Sequence, residues 1–303
     1  MTRVRVVGAS SPFPAEKLAN GVAVLRAAGF DVDDHDVALG SHAYLNGSDD
    51  ERVAAVDAAV ASHERDGVDV VWFARGGYGL TRIVDRLTIP AKLPLLVGFS
   101  DVTALFARLH NEGHAARCIH GPLCTSIANE GDDSVAHVVN VVAGALSSSG
   151  GGFSFARLQQ HVAGASKGSA KGPLFAGNLC ALAALCGTPQ QPDLRGHVVV
   201  IEEIGERPYR LDRMLTQCLQ AGVFDGVAGV VVGHLTDCEE PTGKGSFGRD
   251  AAPTGLAVVV ERLATLGVPV WSGLPCGHEA PNLALPLGRV VVVEGGAFVV
   301  SAA

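Results

Sequence analysis

The sequence predicts an α/β protein: an N-terminal parallel, Rossmann-like α/β domain, then a smaller, strand-rich mixed α/β domain. Three observations carry this. Strand, tight turn and helix alternate through the first half, the pattern of a parallel sheet covered by helices. A stretch rich in Ser, Gly, Ala and Lys follows. Short apolar runs then dominate to the C-terminus. The expected layout is residues 1–146, a linker over 147–172, and 173–303.

Val4–Val7 is a short apolar run leading into the loop Gly8-Ala9-Ser10-Ser11-Pro12. Residues 15–28 carry Val22, Leu25 and Ala28 at helical spacing, with Gly29 placed to end the helix. Ser48-Asp49-Asp50-Glu51 is a capping box that opens a helix to about His63. Residues 68–73 form a buried-type strand, followed by Arg75-Gly76-Gly77-Tyr78-Gly79 and a helix through Leu87. Residues 95–98 form another strand, which turns at Phe99-Ser100-Asp101 into a helix over 102–111. In the second half, strands are expected at 198–202, 227–232, 268–271, 290–294 and 297–301, the last two joined by the hairpin signal Gly295-Gly296. Helices are expected at 178–186, 212–220 and 255–266.

Composition excludes several classes. The chain holds 38 glycines in 303 residues, against a usual share of roughly 7%. They follow no period, so neither collagen nor a low-complexity tract fits, and turns and close backbone approaches are where they belong. A net charge of −8 argues against nucleic acid or an anionic membrane as partner. No apolar run approaches the ~18 residues of a membrane span, and the N-terminus lacks the apolar core of a secretory leader. Seven cysteines with no C-x-x-C fit reduced thiols in a cytoplasmic protein. His110 and His114 match a zinc-binding helix only loosely, so no metal or cofactor is expected.

Four segments carry candidate chemistry. In Gly98-Phe99-Ser100-Asp101 a serine stands on a sharp strand-to-helix turn. Such a serine exposes its hydroxyl beside helix N-terminal N–H groups, the logic of a nucleophile elbow. Ser100 or Asp101 acting as a simple helix cap explains the same residues. The glycine turn 75–79 exposes backbone N–H groups to a ligand, or is merely a tight turn. Residues 202–213 place carboxylates and arginines at a strand's carboxyl end, suited to acid–base work or to solvated ion pairs. His278, in a loop flanked by Gly277 and Pro281, is a candidate base or an ordinary surface histidine.

Taken in order, these segments resemble the LD-carboxypeptidases, or muramoyltetrapeptide carboxypeptidases, a family of serine peptidases that includes the microcin C immunity proteins. The resemblance rests on Arg75–Gly79, Gly98–Asp101, His120-Gly121-Pro122, Gly177-Asn178-Leu179, Glu202–Glu206 with Tyr209 and Asp212-Arg213, Gly277-His278, and Leu285–Gly288. It implies Ser100 as nucleophile, His278 as base and Glu202 as the residue orienting it. It implies an oxyanion hole from backbone N–H groups of Asp101 and Gly77, with Arg75 and Tyr78 as candidates to contact substrate. The nucleophile would come from the first domain and the other two residues from the second. The implied activity is release of the terminal D-alanine from murein tetrapeptides, free or UDP-linked, in cytoplasmic cell-wall recycling by a homodimer. Two alternatives stand beside it: a microcin-immunity-like hydrolase of peptidyl or aminoacyl nucleotides, and a non-catalytic module binding cell-wall fragments.

Overall fold

The structure is a computed structural model that describes residues 1–147, 150, 152–240 and 253–302. In chain order the regular elements begin with β1 (Arg3–Val7), α1 (Ala15–Ala27), β2 (Asp31–Asp33), α2 (Asp49–Asp66), β3 (Val70–Phe73), α3 (Leu80–Ile83), β4 (Leu95–Gly98), α4 (Thr103–Asn111), β5 (Cys118–His120) and α5 (Asp132–Leu146). They continue with β6 (Phe153–Phe155), β7 (Gln159–Val162), β8 (Ser169–Asn178), α6 (Leu179–Leu185), β9 (Val198–Ile204), α7 (Pro208–Gln220), β10 (Gly229–Thr236), α8 (Gly255–Ala264), β11 (Val270–Ser272), β12 (Leu285–Pro286), β13 (Val290–Glu294) and β14 (Ala297–Val300). They fall into two compact units. The first holds the chain up to Gly152 together with Ala280–Leu287; the second holds Phe153–Glu279 and Gly288–Ser301.

The first unit is built on a sheet of order β12-β5-β4-β3-β1-β2. β5 to β2 run parallel, and β12 closes the edge antiparallel to β5. Every residue of β3 and β4 is buried, as expected of central parallel strands covered on both faces. α2 starts as its capping box requires: the Ser48 hydroxyl accepts from Glu51 N–H at 3.3 Å, and the Glu51 carboxylate accepts from Ser48 N–H at 2.8 Å. It stops at Gly67 in the left-handed conformation, φ +71°.

The second unit is an eight-stranded sheet of order β6-β14-β13-β8-β9-β10-β11-β7. Its centre, β8 to β11, is parallel. β13, β14, β6 and β7 pair antiparallel. The β13–β14 hairpin turns at Gly295 and Gly296 with φ +57° and +80°, the positive values a two-residue hairpin turn needs. Among the described residues no helix is long and apolar enough to cross a membrane.

The expected linker is corrected by the structure. Ser148, Ser149 and Gly151 lie outside the described residues. From Phe153 onward, β6, β7 and the first half of β8 occupy the segment, pairing with β14, β11 and β13. Such strands keep many polar residues on their exposed positions, and composition hid the alternation. A boundary at 173 therefore cuts β8. The chain also returns to the first unit with Ala280–Leu287, a crossing that no composition change marks.

Candidate active site

In the first unit the apolar strand β4 delivers the chain to Phe99 and then to Ser100. Ser100 adopts φ +63°, a left-handed conformation that L-residues other than Gly, Asn and Asp seldom take. A strained serine between a buried strand and a helix is the geometry of a nucleophile elbow. The cap alternative does not hold: no side chain caps α4, nor the short 3₁₀ turn Ser100–Val102 before it.

Asp101 does something else. It is buried, and its carboxylate accepts from Leu80 N–H, the first residue of α3, at 2.9 Å. Burial pushes this carboxyl above the usual range, opposed by the Ser10 hydroxyl, the Leu80 and Gly79 N–H groups and the Arg52 guanidinium. Asp101 thus ties the Ser100 turn to the glycine turn.

The glycines of that turn have distinct reasons. A Cβ on Gly76 would lie 2.8 Å from Ser100 Cβ and 2.9 Å from its Oγ, so only glycine lets this backbone reach the serine. Gly77 has φ +98° and lies against Ser11. Gly77 follows Gly76 and Asp101 follows Ser100, so the two N–H groups expected to receive an oxyanion flank the Gly76–Ser100 contact. Tyr78 N–H donates to Ser11 Oγ at 3.2 Å, and the Arg75 guanidinium donates to the Pro12 carbonyl. Gly76→Ala is expected to displace the Ser100 turn, because the new Cβ would overlap the serine side chain, and so to lower by roughly 10²-fold the kcat/KM of any reaction that uses this serine. The overlap should reduce stability by only about 1–3 kcal/mol. Steady-state kinetics and urea unfolding on the same variant check both.

Sequence reasoning missed Arg52 and Ser11. Arg52 is wholly buried behind the glycine turn, donating to the Ala9 carbonyl at 2.8 Å and to Asp49. A signal existed: Arg52 shares the helical stripe of Val56, Ala59 and Val60, all buried, where a charge demands a partner.

In the second unit, neighbouring carboxylates at the end of β9 point to opposite sides, as alternate strand residues do. Glu202 is fully buried, and His278 Nδ1 donates to its Oε2 at 2.7 Å. The other oxygen, Oε1, has no hydrogen-bond partner among the described residues. Gly277, at φ +132°, brings the histidine loop against this carboxylate, and a Cβ there would lie 3.0 Å from Glu202 Oε2. Glu203 faces α6 instead. It accepts from Asn178 Nδ2 at 3.0 Å, Cys180 N–H at 2.6 Å and Ile204 N–H at 2.9 Å.

Burial pushes the Glu203 carboxyl up to about 7, although these donors pull it down. The folded state then holds a proton between about pH 4.5 and 7 that the unfolded chain has released, so this group's contribution to stability falls as pH rises through that window. Glu203→Gln is expected to flatten that slope, by up to about 3 kcal/mol between pH 4.5 and 7. Chemical denaturation of both proteins across that range checks it.

Ser100, Asp101, Gly77, Arg75 and Tyr78 therefore lie in the first unit, and Glu202 with His278 in the second. The chain matches the LD-carboxypeptidase N-terminal domain over residues 4–121 and the LD-carboxypeptidase C-terminal domain over residues 171–293. A putative carboxypeptidase of Synechocystis sp. is 32% identical over 94% of this chain and 88% of its own. The murein tetrapeptide carboxypeptidase of Pseudomonas aeruginosa is 30% identical, covering 93% of this chain and 91% of its own. Among solved structures, the muramoyltetrapeptide carboxypeptidase from Oxalobacter formigenes superposes with a TM-score of 0.81 at 25% identity, covering 99% and 98% of the two chains. The microcin C7 self-immunity protein in complex with aspartyl sulfamoyl adenosine shares the fold, with a TM-score of 0.78 at 19% identity over 99% and 96%.

The fold and these matches define a hydrolase of peptide bonds with carboxypeptidase relatives. The chain belongs to the LD-carboxypeptidase family.

Proposed function

We propose that this chain is a serine-type LD-carboxypeptidase that releases the terminal D-alanine of murein tetrapeptides. The observation that carries the reading is the 2.7 Å bond between His278 and Glu202, two residues 76 positions apart that the family motifs had already paired. A serine hydroxyl is a poor nucleophile until a base removes its proton. With Nδ1 held by a buried carboxylate, the imidazole keeps Nε2 for that proton, and the carboxylate stabilises the imidazolium that forms.

Ser100 Oγ then attacks the last peptide carbonyl while its proton passes to His278. The oxyanion is received by the Gly77 and Asp101 N–H groups. The C–N bond breaks as His278 returns the proton to the leaving D-alanine amine. Water, deprotonated by His278, next attacks the Ser100 ester, freeing the tripeptide and restoring the serine. The same reading makes the protein a cytoplasmic enzyme of cell-wall recycling, acting as a homodimer and needing no metal.

The fold likeness to a protein that binds an aminoacyl-nucleotide analogue favours a second reading, hydrolysis of aminoacyl or peptidyl nucleotides. A side-by-side assay separates the two. D-alanine release from murein tetrapeptide with a higher kcat/KM than cleavage of an aminoacyl sulfamoyl or phosphoryl adenosine supports the carboxypeptidase. The reverse order overturns it.

A further inference from the structure

All seven cysteines are reduced thiols, and their surroundings differ. Cys118, Cys124, Cys238 and Cys276 are buried, and burial pushes each of these thiols up, Cys124 to about 12 and Cys238 to about 11. A thiol held neutral in an apolar interior is a poor nucleophile. Cys180 is exposed in the first turn of α6. Cys186 and Cys218 form a pair: their sulfurs lie 3.9 Å apart although 32 positions of chain separate them.

The fold holds this pair in place. Cys186 is the residue just past α6 and is half-buried, whereas Cys218 lies buried in the last turn of α7. The two helices are tied beside the sulfurs, where Gln217 Nε2 donates to the Ala183 carbonyl at 2.8 Å. Neither helix has to slide for the sulfurs to meet. A disulfide needs about 2 Å between them. The remaining approach falls on Cys186, where the helix has ended. Gly187 follows at φ +76°, with open space where a Cβ would stand. Side-chain rotation and a small shift of this helix end supply the approach.

The two thiols are also unequal. As a thiol, Cys186 Sγ reaches the Leu182 carbonyl at 3.7 Å. As a thiolate it accepts from the Cys218 S–H, which holds the Cys186 thiol below its usual range. The same hydrogen bond, together with burial, holds Cys218 above it. An accessible sulfur that ionises first therefore touches a second sulfur that keeps its proton, the two components that thiol oxidation by peroxide requires.

We propose that Cys186 and Cys218 are an oxidative modification site, at which hydrogen peroxide converts the thiol contact into a disulfide that staples α6 to α7. The Cys186 thiolate attacks one peroxide oxygen. An S–O bond forms as the O–O bond breaks, and the hydroxide released takes up the proton that Cys186 gave away. The Cys218 sulfur then attacks the sulfenic sulfur. The S–S bond forms, the S–O bond breaks, and the Cys218 proton leaves with the departing hydroxyl as a second water. Two thiols are oxidised and one peroxide is reduced. The new bond restricts the unfolded chain more than the folded one, so the oxidised form is the more stable. Ser100, Glu202 and His278 take no part, and the proposal is independent of the peptidase reading.

The test treats the reduced whole chain with a small excess of hydrogen peroxide, digests it without reductant and maps it by mass spectrometry. Thermal unfolding is measured alongside. A linked peptide pair joining Cys186 to Cys218, two hydrogens lighter than the separate peptides, is expected, with an unfolding midpoint raised by about 5 °C. Dithiothreitol should reverse both changes. Cys186→Ser should give neither the linkage nor the rise, while Cys180→Ser should behave as wild type. The half-buried helix end tolerates the first substitution, and the wild-type map decides the linkage without any variant. Cys186 recovered as a sulfinic acid beside a Cys218 thiol overturns the proposal. So does linkage of either cysteine to Cys180, or an oxidised chain whose midpoint does not rise.

Discussion

Ser100→Ala is expected to lower D-alanine release from a murein tetrapeptide by at least about 10³-fold. Removing the nucleophile of a serine hydrolase leaves only binding and oxyanion stabilisation to act. The left-handed backbone at residue 100 is shared by the alanine variant, so the turn keeps its strain and the unfolding midpoint should hardly move. The Gly77 and Asp101 donors also stay in place, so KM should change far less than kcat. A stopped assay for free D-alanine at saturating substrate, with urea unfolding alongside, checks both halves.

Glu202→Gln is expected to cost about 10⁴-fold in kcat while leaving stability equal or slightly higher. The two effects have one cause. Glu202 is a fully buried carboxylate whose sole hydrogen-bond partner among the described residues is His278, with Oε1 unpaired. A neutral amide of the same shape relieves a buried charge, which proteins commonly tolerate or gain from. It also presents the wrong complement to the imidazole, favouring the tautomer that cannot accept the serine proton. Glu203→Gln is the control at the neighbouring position. That side chain holds the start of α6, not the histidine, so its substitution should flatten the pH dependence of stability and spare the chemistry.

The legible part of this fold was set by local signals. The Ser48 capping box, the run of strand β4 and the Gly295-Gly296 hairpin are each decided within a few residues, and all stand where the sequence places them. β6 and β7 were not legible, because short edge strands with an exposed face have the composition of a linker. Nor was β12, whose two residues are a strand only through their pairing with β5. The motif order named Glu202 and His278 together, and the structure brings these two side chains into a hydrogen bond. Composition offered no reason to prefer Glu202 over Glu203. That choice is made by strand alternation together with Gly277, which lets the histidine loop reach one carboxylate and not the other. Arg52 went unread because its role depends on contacts with loops distant in sequence.

The central proposal is that Ser100 is the nucleophile and that His278, bonded to Glu202, is its base. Labelling with a fluorophosphonate tests it most directly, since the reagent bonds only to a serine whose proton has a base to take it. Wild-type protein should carry one phosphonyl group on the peptide containing Ser100, located by mass spectrometry, and His278→Ala should label at least about 10²-fold more slowly. Equal labelling of Ser100 in His278→Ala, or a wild-type enzyme that releases D-alanine yet takes no label at Ser100, would contradict the account.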